Sequence, residues 1–369
     1  MATDVVDAIE RFVEAPSAGG FDALALRAFS FQFENVDPYR RWCERTGATP
    51  AEVRDWRHVP WVPASALKSV ALHAAPAVLT FRSSGTTAGE RRSVHHHPFP
   101  HLYRRVIDRS FPEFCLPRRA SLPMLSLIPG FEPARESSLS FMIDHVLARF
   151  GADGSANVVG PDGIDHDRAR AWLAARERDR RPALLLTTAL ALDQLLRGLE
   201  RSDLRLGPAP GSALFVTGGF KTRQTELTLD DLLERLEDRL GIGRAAVVQE
   251  YGMTELTSQA YTRSLDGPPH PNRGWASGAN DLFVCPPWMR VRVLDPISLE
   301  EAAAGATGLL AVFDLGNVGS VLHLLTEDLG RIEDGGFRLL GRASGAELRG
   351  CSLTAEELEA ASPDRTAQR

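Results

Sequence analysis

Between Leu122 and Val248 the chain alternates short apolar runs with helical patterns, and this alternation constrains the fold more than any other feature. Leu122–Ile128, Ala183–Thr188, Ala213–Thr217 and Ala245–Val248 read as buried strands. Leu139–Phe150, capped by Gly151, then 167–181, stopped by Pro182, and 189–200 read as helices between them. A further helix opens on a capping box at Thr228-x-x-Asp231, buries Leu229, Leu232, Leu233, Leu236 and Leu240, and closes at Gly241. Such a βαβα order predicts α/β layers around a largely parallel sheet, with functional loops at the carboxyl ends of the strands. Beyond about residue 288 the pattern turns strand-rich: Met289–Leu294, Gly308–Leu315, Val321–Thr326, and a hairpin over 331–340 around Asp334-Gly335-Gly336.

The N-terminal part reads as helical. Val5, Ile9, Phe12 and Val13 share a face over 4–15, and 21–58 is helical with interruptions at Pro38 and Pro50. Trp42, Trp56 and Trp61 are read as core anchors, and Pro60 and Pro63 as an extended connector. The formal net charge of −6 and the lack of a basic run argue against a nucleic-acid partner. No apolar run approaches the roughly 18 residues of a membrane span. The acidic N-terminus lacks a signal peptide's apolar core. The four cysteines show neither close pairing nor metal-ligand spacing, so reduced thiols in a cytoplasmic protein are expected.

Two stretches carry chemistry. Ser83-Ser84-Gly85-Thr86-Thr87-Ala88-Gly89 packs four hydroxyls and two glycines into seven residues after the apolar run Ala77-Val78-Leu79. Glycines admit a close backbone approach and hydroxyls add neutral donors, which suits phosphate oxygens. The loop lacks the Gly-Lys-Ser/Thr of a Walker A motif. Gln249-Glu250-Tyr251-Gly252-Met253-Thr254-Glu255 places an aromatic, a glycine, a hydroxyl and a carboxylate at another strand end. A carboxylate beside a phosphate loop calls for a divalent cation between them, and Mg²⁺ takes one or two carboxylates plus substrate phosphates. His95-His96-His97 invites a zinc reading, but adjacent histidines diverge and no Cys, Asp or Glu completes the set nearby. Gly241-Ile242-Gly243 stands between a helix and a strand, in the wrong order for a dinucleotide fingerprint, and no Gly-x-Ser-x-Gly of an α/β-hydrolase is present.

With Ser83–Thr87 and Tyr251–Glu255 in hand, the chain resembles the adenylate-forming, acyl-activating superfamily. Within it, it looks most like the LuxE-type acyl-protein synthetases, through Ser93-Val94-His95 with Leu102-Tyr103, Thr217-Gly218-Gly219-Phe220-Lys221, Thr326-Glu327-Asp328-Leu329-Gly330, and Gly341-Arg342 leading to Arg349-Gly350-Cys351-Ser352-Leu353. The matches run in order from about residue 79 to 353. The resemblance implies layered, largely parallel sheets of the adenylate-forming type. It divides the chain into a helical part over 1–75, an α/β core over 76–340 and a tail over 341–369. It implies that ATP and Mg²⁺ activate a carboxylic acid, expected to be a fatty acid, as acyl-AMP. Ser83, Ser84, Gly85, Thr86 and Thr87 would cradle phosphates, Glu255 would hold Mg²⁺, and Thr254 would contact the α-phosphate. Tyr251 and Gly219 would flank adenine, by stacking and backbone contact, with Gly218 and Gly252 also among the nucleotide-binding residues, and Asp328, read as following a strand, would hold the ribose with Arg342. His95 would sit near the phosphates or the acyl carboxylate, and Lys221 could add positive charge.

The superfamily's C-terminal subdomain, with its catalytic lysine, has no counterpart in the 27 residues after Arg342, none of which is lysine. A different acceptor is therefore expected. Cys351 precedes a second capping signature, Thr354-x-x-Glu357, and a thiol beside a helix start and an arginine gains thiolate character. In the resembled type such a cysteine carries the acyl group as a thioester to a partner, an acyl reductase. Acyl transfer to CoA, to a carrier-protein thiol through an acyltransferase, or to an amine is the alternative, and a nucleotide-binding scaffold without catalysis is the reading from another class.

Overall fold

In the computed structural model, residues 2–83, 91–116, 121–132, 136–218, 228–262, 265, 281–343, 355 and 358–359 are described. Two six-stranded sheets organise them. In the first, Ala156–Asn157, Met124–Ser126, Leu184–Thr188, Ala213–Thr217 and Val247–Tyr251 lie parallel in that order, and Ala260–Tyr261 closes the edge antiparallel. Register places Thr188 opposite Thr217 and Thr217 opposite Glu250, so these strands end together.

Both faces of this sheet are covered, as near-continuous apolar strands require. On one, Leu125, Leu185, Leu214 and Val247 meet the helices His166–Asp179, Ala189–Arg201 and Leu229–Leu240. On the other, Leu184, Leu186, Phe215 and Val248 meet the helices Pro100–Cys115 and Ser138–Phe150. The Thr228/Asp231 capping box forms in both directions, and Gly241 takes the left-handed conformation that ends the helix.

The second sheet runs Leu282–Phe283, Gly336–Arg342, His323–Glu333, Gly308–Asp314, Met289–Leu294, all antiparallel, with Val62–Pro63 alongside His323–Glu333 in parallel. The expectation of largely parallel sheets is thus corrected: it describes one sheet, and the other is a meander whose consecutive strands need only short turns. The N-terminal helices Ala2–Glu14, Gly20–Asn35 and Asp37–Thr46 cover this second sheet. The break between the last two falls at Val36, because Pro38 sits in the first turn of its helix, where a missing N–H costs nothing. Gln32 ties the helical layer down: its side-chain amide donates to the carbonyl of Ser320 (2.7 Å), and its oxygen accepts from Leu322 N (3.2 Å).

Candidate functional site

The site lies where the carboxyl ends of the parallel strands face the edge of the antiparallel sheet. Leu79–Arg82 and Val94–His97 form a two-stranded hairpin, and its connection is the hydroxyl-rich loop. Ser83 and Ser93 clamp the neck: Ser83 N donates to the Ser93 carbonyl (3.1 Å), and Ser93 N donates to Ser83 Oγ (3.0 Å). Ser84, Gly85, Thr86 and Thr87 lie outside the described residues. So do Gly219 and Lys221, whereas Gly218 is exposed at the end of its strand with a positive φ.

Glu255 reaches this neck. Burial holds the pKa of its carboxyl above the ordinary carboxylate value, against the lowering influence of the neighbouring Ser93 side chain. His95 adjoins the same turn. It is buried, its Nδ1–H donates to the Thr254 carbonyl (2.8 Å), and burial pushes its pKa down to about 4. A neutral, buried imidazole supplies no positive charge to phosphates. The ring holds the Thr254 backbone through Nδ1, and its Nε2 is buried with no hydrogen-bond partner among the described residues. His97, two residues on, shares that face. Its Nε2 meets Thr257 Oγ1 at 3.2 Å, while His96 turns to the other side against His73.

Tyr251 closes the other end. Its ring is buried in aromatic contact with Phe283 and Phe337, at centroid distances of 5.9 and 5.4 Å, and its hydroxyl donates to Asp328 Oδ2 (3.1 Å). Asp328 stands within the His323–Glu333 strand, which corrects the expectation of a residue following a strand: the polar pair Glu327-Asp328 ends the apolar pattern while the backbone ladder continues. Arg342 is its cross-strand partner, and Arg342 Nε lies 3.5 Å from Asp328 Oδ1. Gly341 makes that pairing possible. A register shift near Leu329 and Gly330 passes over Leu340, and Gly341 carries a φ of 136°, which L side chains avoid.

Sequence reasoning missed the device that fixes the Glu255 turn. Asp314, at the end of its strand and fully buried, accepts from Thr257 N (3.0 Å), Ser258 N (2.7 Å), Ser258 Oγ (2.5 Å) and Gly316 N (2.9 Å). Asn317 adds bonds from its amide nitrogen to the carbonyls of Glu255 (2.9 Å) and Val321 (2.7 Å). Asp314-Leu315-Gly316-Asn317 carries a turn signal, but nothing local names the turn it holds, nearly sixty residues earlier.

The three cysteines within the described residues are free. Burial pushes the thiols of Cys43 and Cys285 up to about 12, and that of Cys115 well above its ordinary value, so all three stay protonated at neutral pH. Cys351 lies outside the described residues. Among the described residues, no helix is long and apolar enough to cross a membrane.

No protein-family model matches the sequence, and no curated protein matches it. Among the solved structures of similar shape are ligases. A 2-hydroxyisobutyryl-CoA ligase in an open conformation, with 2-HIB-AMP and CoA, superposes with a TM-score of 0.63 over 90% of this chain and 77% of its own, at 15% identity. The same ligase in its thioesterification state gives 0.63 over 91% and 71%, at 16% identity. ATP-bound MatB from Rhodopseudomonas palustris gives 0.47 over 73% and 48%, at 17% identity. At these identities the likeness is one of fold.

Proposed function

We propose that this protein activates a carboxylic acid with ATP, forming acyl-AMP and pyrophosphate, and passes the acyl group to a thiol. The observation that carries the reading is the convergence at one place of a clamped hydroxyl-rich loop, the Glu255 carboxylate at its neck, and the Tyr251–Asp328–Arg342 chain. A carboxylate oxygen attacks the α-phosphorus, its P–O bond forms, and the bond to pyrophosphate breaks. The protein's share is to orient the acid in line and offset negative charge. Ser83 and the loop beyond it bind phosphate oxygens, Thr254 faces the α-phosphate, and Asp328 with Arg342 takes the ribose diol through charge-assisted bonds. Gly218 and Gly252, both exposed, offer backbone to the adenine. Glu255 fits Mg²⁺, since a single carboxylate beside a phosphate loop is how this ion is commonly held. When bound, the ion would neutralise pyrophosphate charge.

For the acceptor we favour Cys351, as in the LuxE-type synthetases, with onward delivery to a partner such as an acyl reductase. The protonated thiols of Cys43, Cys115 and Cys285, the first two fully covered, support that choice. Acid-dependent ATP–pyrophosphate exchange tests the activity. Glu255→Gln should fold normally and lose most exchange, and a wild-type rate in that variant removes Glu255 from the mechanism.

A further inference from the structure

The floor of the site holds a second carboxylate that adenylation leaves unused. Glu250 and Thr217 are cross-strand partners at the carboxyl ends of neighbouring parallel strands, and both are buried. Side chains alternate along a strand, so Glu250 faces away from Tyr251. The Thr217 hydroxyl donates to Glu250 Oε2. Oε1 lies against the backbone of Gly252, where an added Cβ would stand 2.2 Å from it, so glycine is what leaves room for the carboxyl. Gly218 and Gly252, the residues that follow Thr217 and Tyr251, are exposed. The carboxyl therefore lies directly beneath the surface that opens on the site.

A second acceptor flanks the same glycine. The Cγ of Gln259 is 3.5 Å from the position of that Cβ. Gln259 is 3% exposed, and its amide nitrogen is spent on the Thr257 carbonyl (2.9 Å). Among the described residues its buried Oε1 has no hydrogen-bond partner. Among the described residues no cation pairs with Glu250, and the phosphates of a nucleotide would repel it. Tyr103, Cys115 and Tyr261 are titratable groups that feel the charge of Glu250, and burial keeps all three neutral at pH 7. Burial pushes the Glu250 carboxyl up to about 7, which a donating ligand would reverse. A buried acceptor without a donor, as Gln259 Oε1 is among the described residues, is costly, and a ligand that brings a donor removes the cost.

We infer that Glu250, with Gln259 beside it, selects the acyl part of the substrate: a small carboxylic acid bearing a hydroxyl or amine, in place of the unsubstituted fatty acid the sequence suggested. This rests on the adenylation reading. An alkyl chain seated there would bring no donor to Gln259 Oε1, and none to Glu250 beyond the one Thr217 supplies, and sites built to hydrogen-bond a substrate group reject analogues lacking it strongly.

The test is ATP–pyrophosphate exchange with acids paired by size, one member carrying a hydroxyl or amine and the other a methyl in its place. The wild type should prefer the donor-bearing member by about 100-fold or more in kcat/KM. Glu250→Ala should reduce that preference to a few-fold by raising the KM for the acid, with the KM for ATP unchanged. Glu250→Gln should retain hydroxy acids and lose amino acids. Melting temperatures and ATP binding establish that both variants fold. A wild type that works best on unsubstituted medium or long chains, or a ranking unchanged in Glu250→Ala, overturns the inference and leaves adenylation standing. Exchange with no acid at all overturns adenylation itself, and this inference with it.

Discussion

Replacing Asp314 should cost both stability and activity, by amounts that follow from its bonds. Its buried carboxylate accepts from two backbone N–H groups and a hydroxyl of the turn after Glu255, at 3.0, 2.7 and 2.5 Å, and from Gly316 N at 2.9 Å. In Asp314→Ala the Thr257 and Ser258 donors remain in a water-poor interior, each costing about 1–3 kcal/mol. Removing the carboxylate also relieves its own desolvation, which already raises its pKa. The net loss should be about 3–5 kcal/mol, the scale seen when one partner of a buried charged network is removed. Against a typical domain stability of about 5–15 kcal/mol, the variant folds with little margin. Urea denaturation followed by tryptophan fluorescence reads the stability, and pyrophosphate exchange reads the turn. Asp314→Asn, which keeps one acceptor and turns an amide donor toward the other N–H groups, should fall between wild type and alanine in both. An alanine variant within about 0.5 kcal/mol of wild type would refute the idea that this carboxylate holds the turn.

Asp328→Ala should weaken ATP binding about 10- to 150-fold for each charge-assisted bond lost, and Tyr251→Phe, which keeps the ring but releases Asp328 Oδ2, should have a smaller effect. Calorimetry that finds unchanged ATP affinity in Asp328→Ala would leave Asp328 a structural strand residue. Burial holds the His323 pKa at about 4, so between pH 6.5 and 4 the unfolded chain takes up a proton that the folded chain does not. Stability contributed by neutral His323 is complete above pH 6.5 and falls by about 3 kcal/mol as pH drops through that window, and His323→Gln should flatten that part of the stability curve. A slope identical to wild type would exclude His323 as its source. Cys351→Ser should still form acyl-AMP but accumulate no hydroxylamine-labile acyl-enzyme by intact mass. Acyl mass persisting in that variant would refute Cys351 as the acceptor.

The parallel sheet was legible because each of its signals is local. Apolar runs mark strands buried on both faces, and the Thr228 cap and Gly241 terminator act within one helix. The Asp334-Gly335 turn was equally readable, since it needs only its two flanking strands. Strand ends were harder wherever polar residues were recruited for the site. Val247–Tyr251 starts two residues later than its apolar run and continues through Gln249 and Glu250, whose backbone pairs with Thr217 and Tyr261. Asp328 was misplaced for the same reason: strand pairing is satisfied by the main chain whatever the side chain, so a functional carboxylate erases the hydropathy signal without ending the strand.

The two motifs named their residues, but not how those residues divide the work. Tyr251 shows why. As an aromatic at a strand end it suggests a platform for adenine, yet its ring is packed on Phe283 and Phe337 and its hydroxyl is committed to Asp328. A ring 6% exposed has little face left to stack on. What the packing does supply is orientation, since a buried ring cannot swing and its hydroxyl holds one oxygen of Asp328 while Arg342 approaches the other. The carboxylate is thereby held in one orientation, and on the proposed reading this would lower the entropy lost when the ribose binds. Tyr251 also joins the parallel sheet, where its strand ends, to the antiparallel sheet, where Asp328 lies. The alternation of side chains then sends Glu250 to the opposite face, toward Thr217 and Gln259. On the proposed reading one strand end would serve the nucleotide with one residue and the acyl group with its neighbour, so a substitution at 250 should alter acid choice without touching ATP, and one at 251 the reverse.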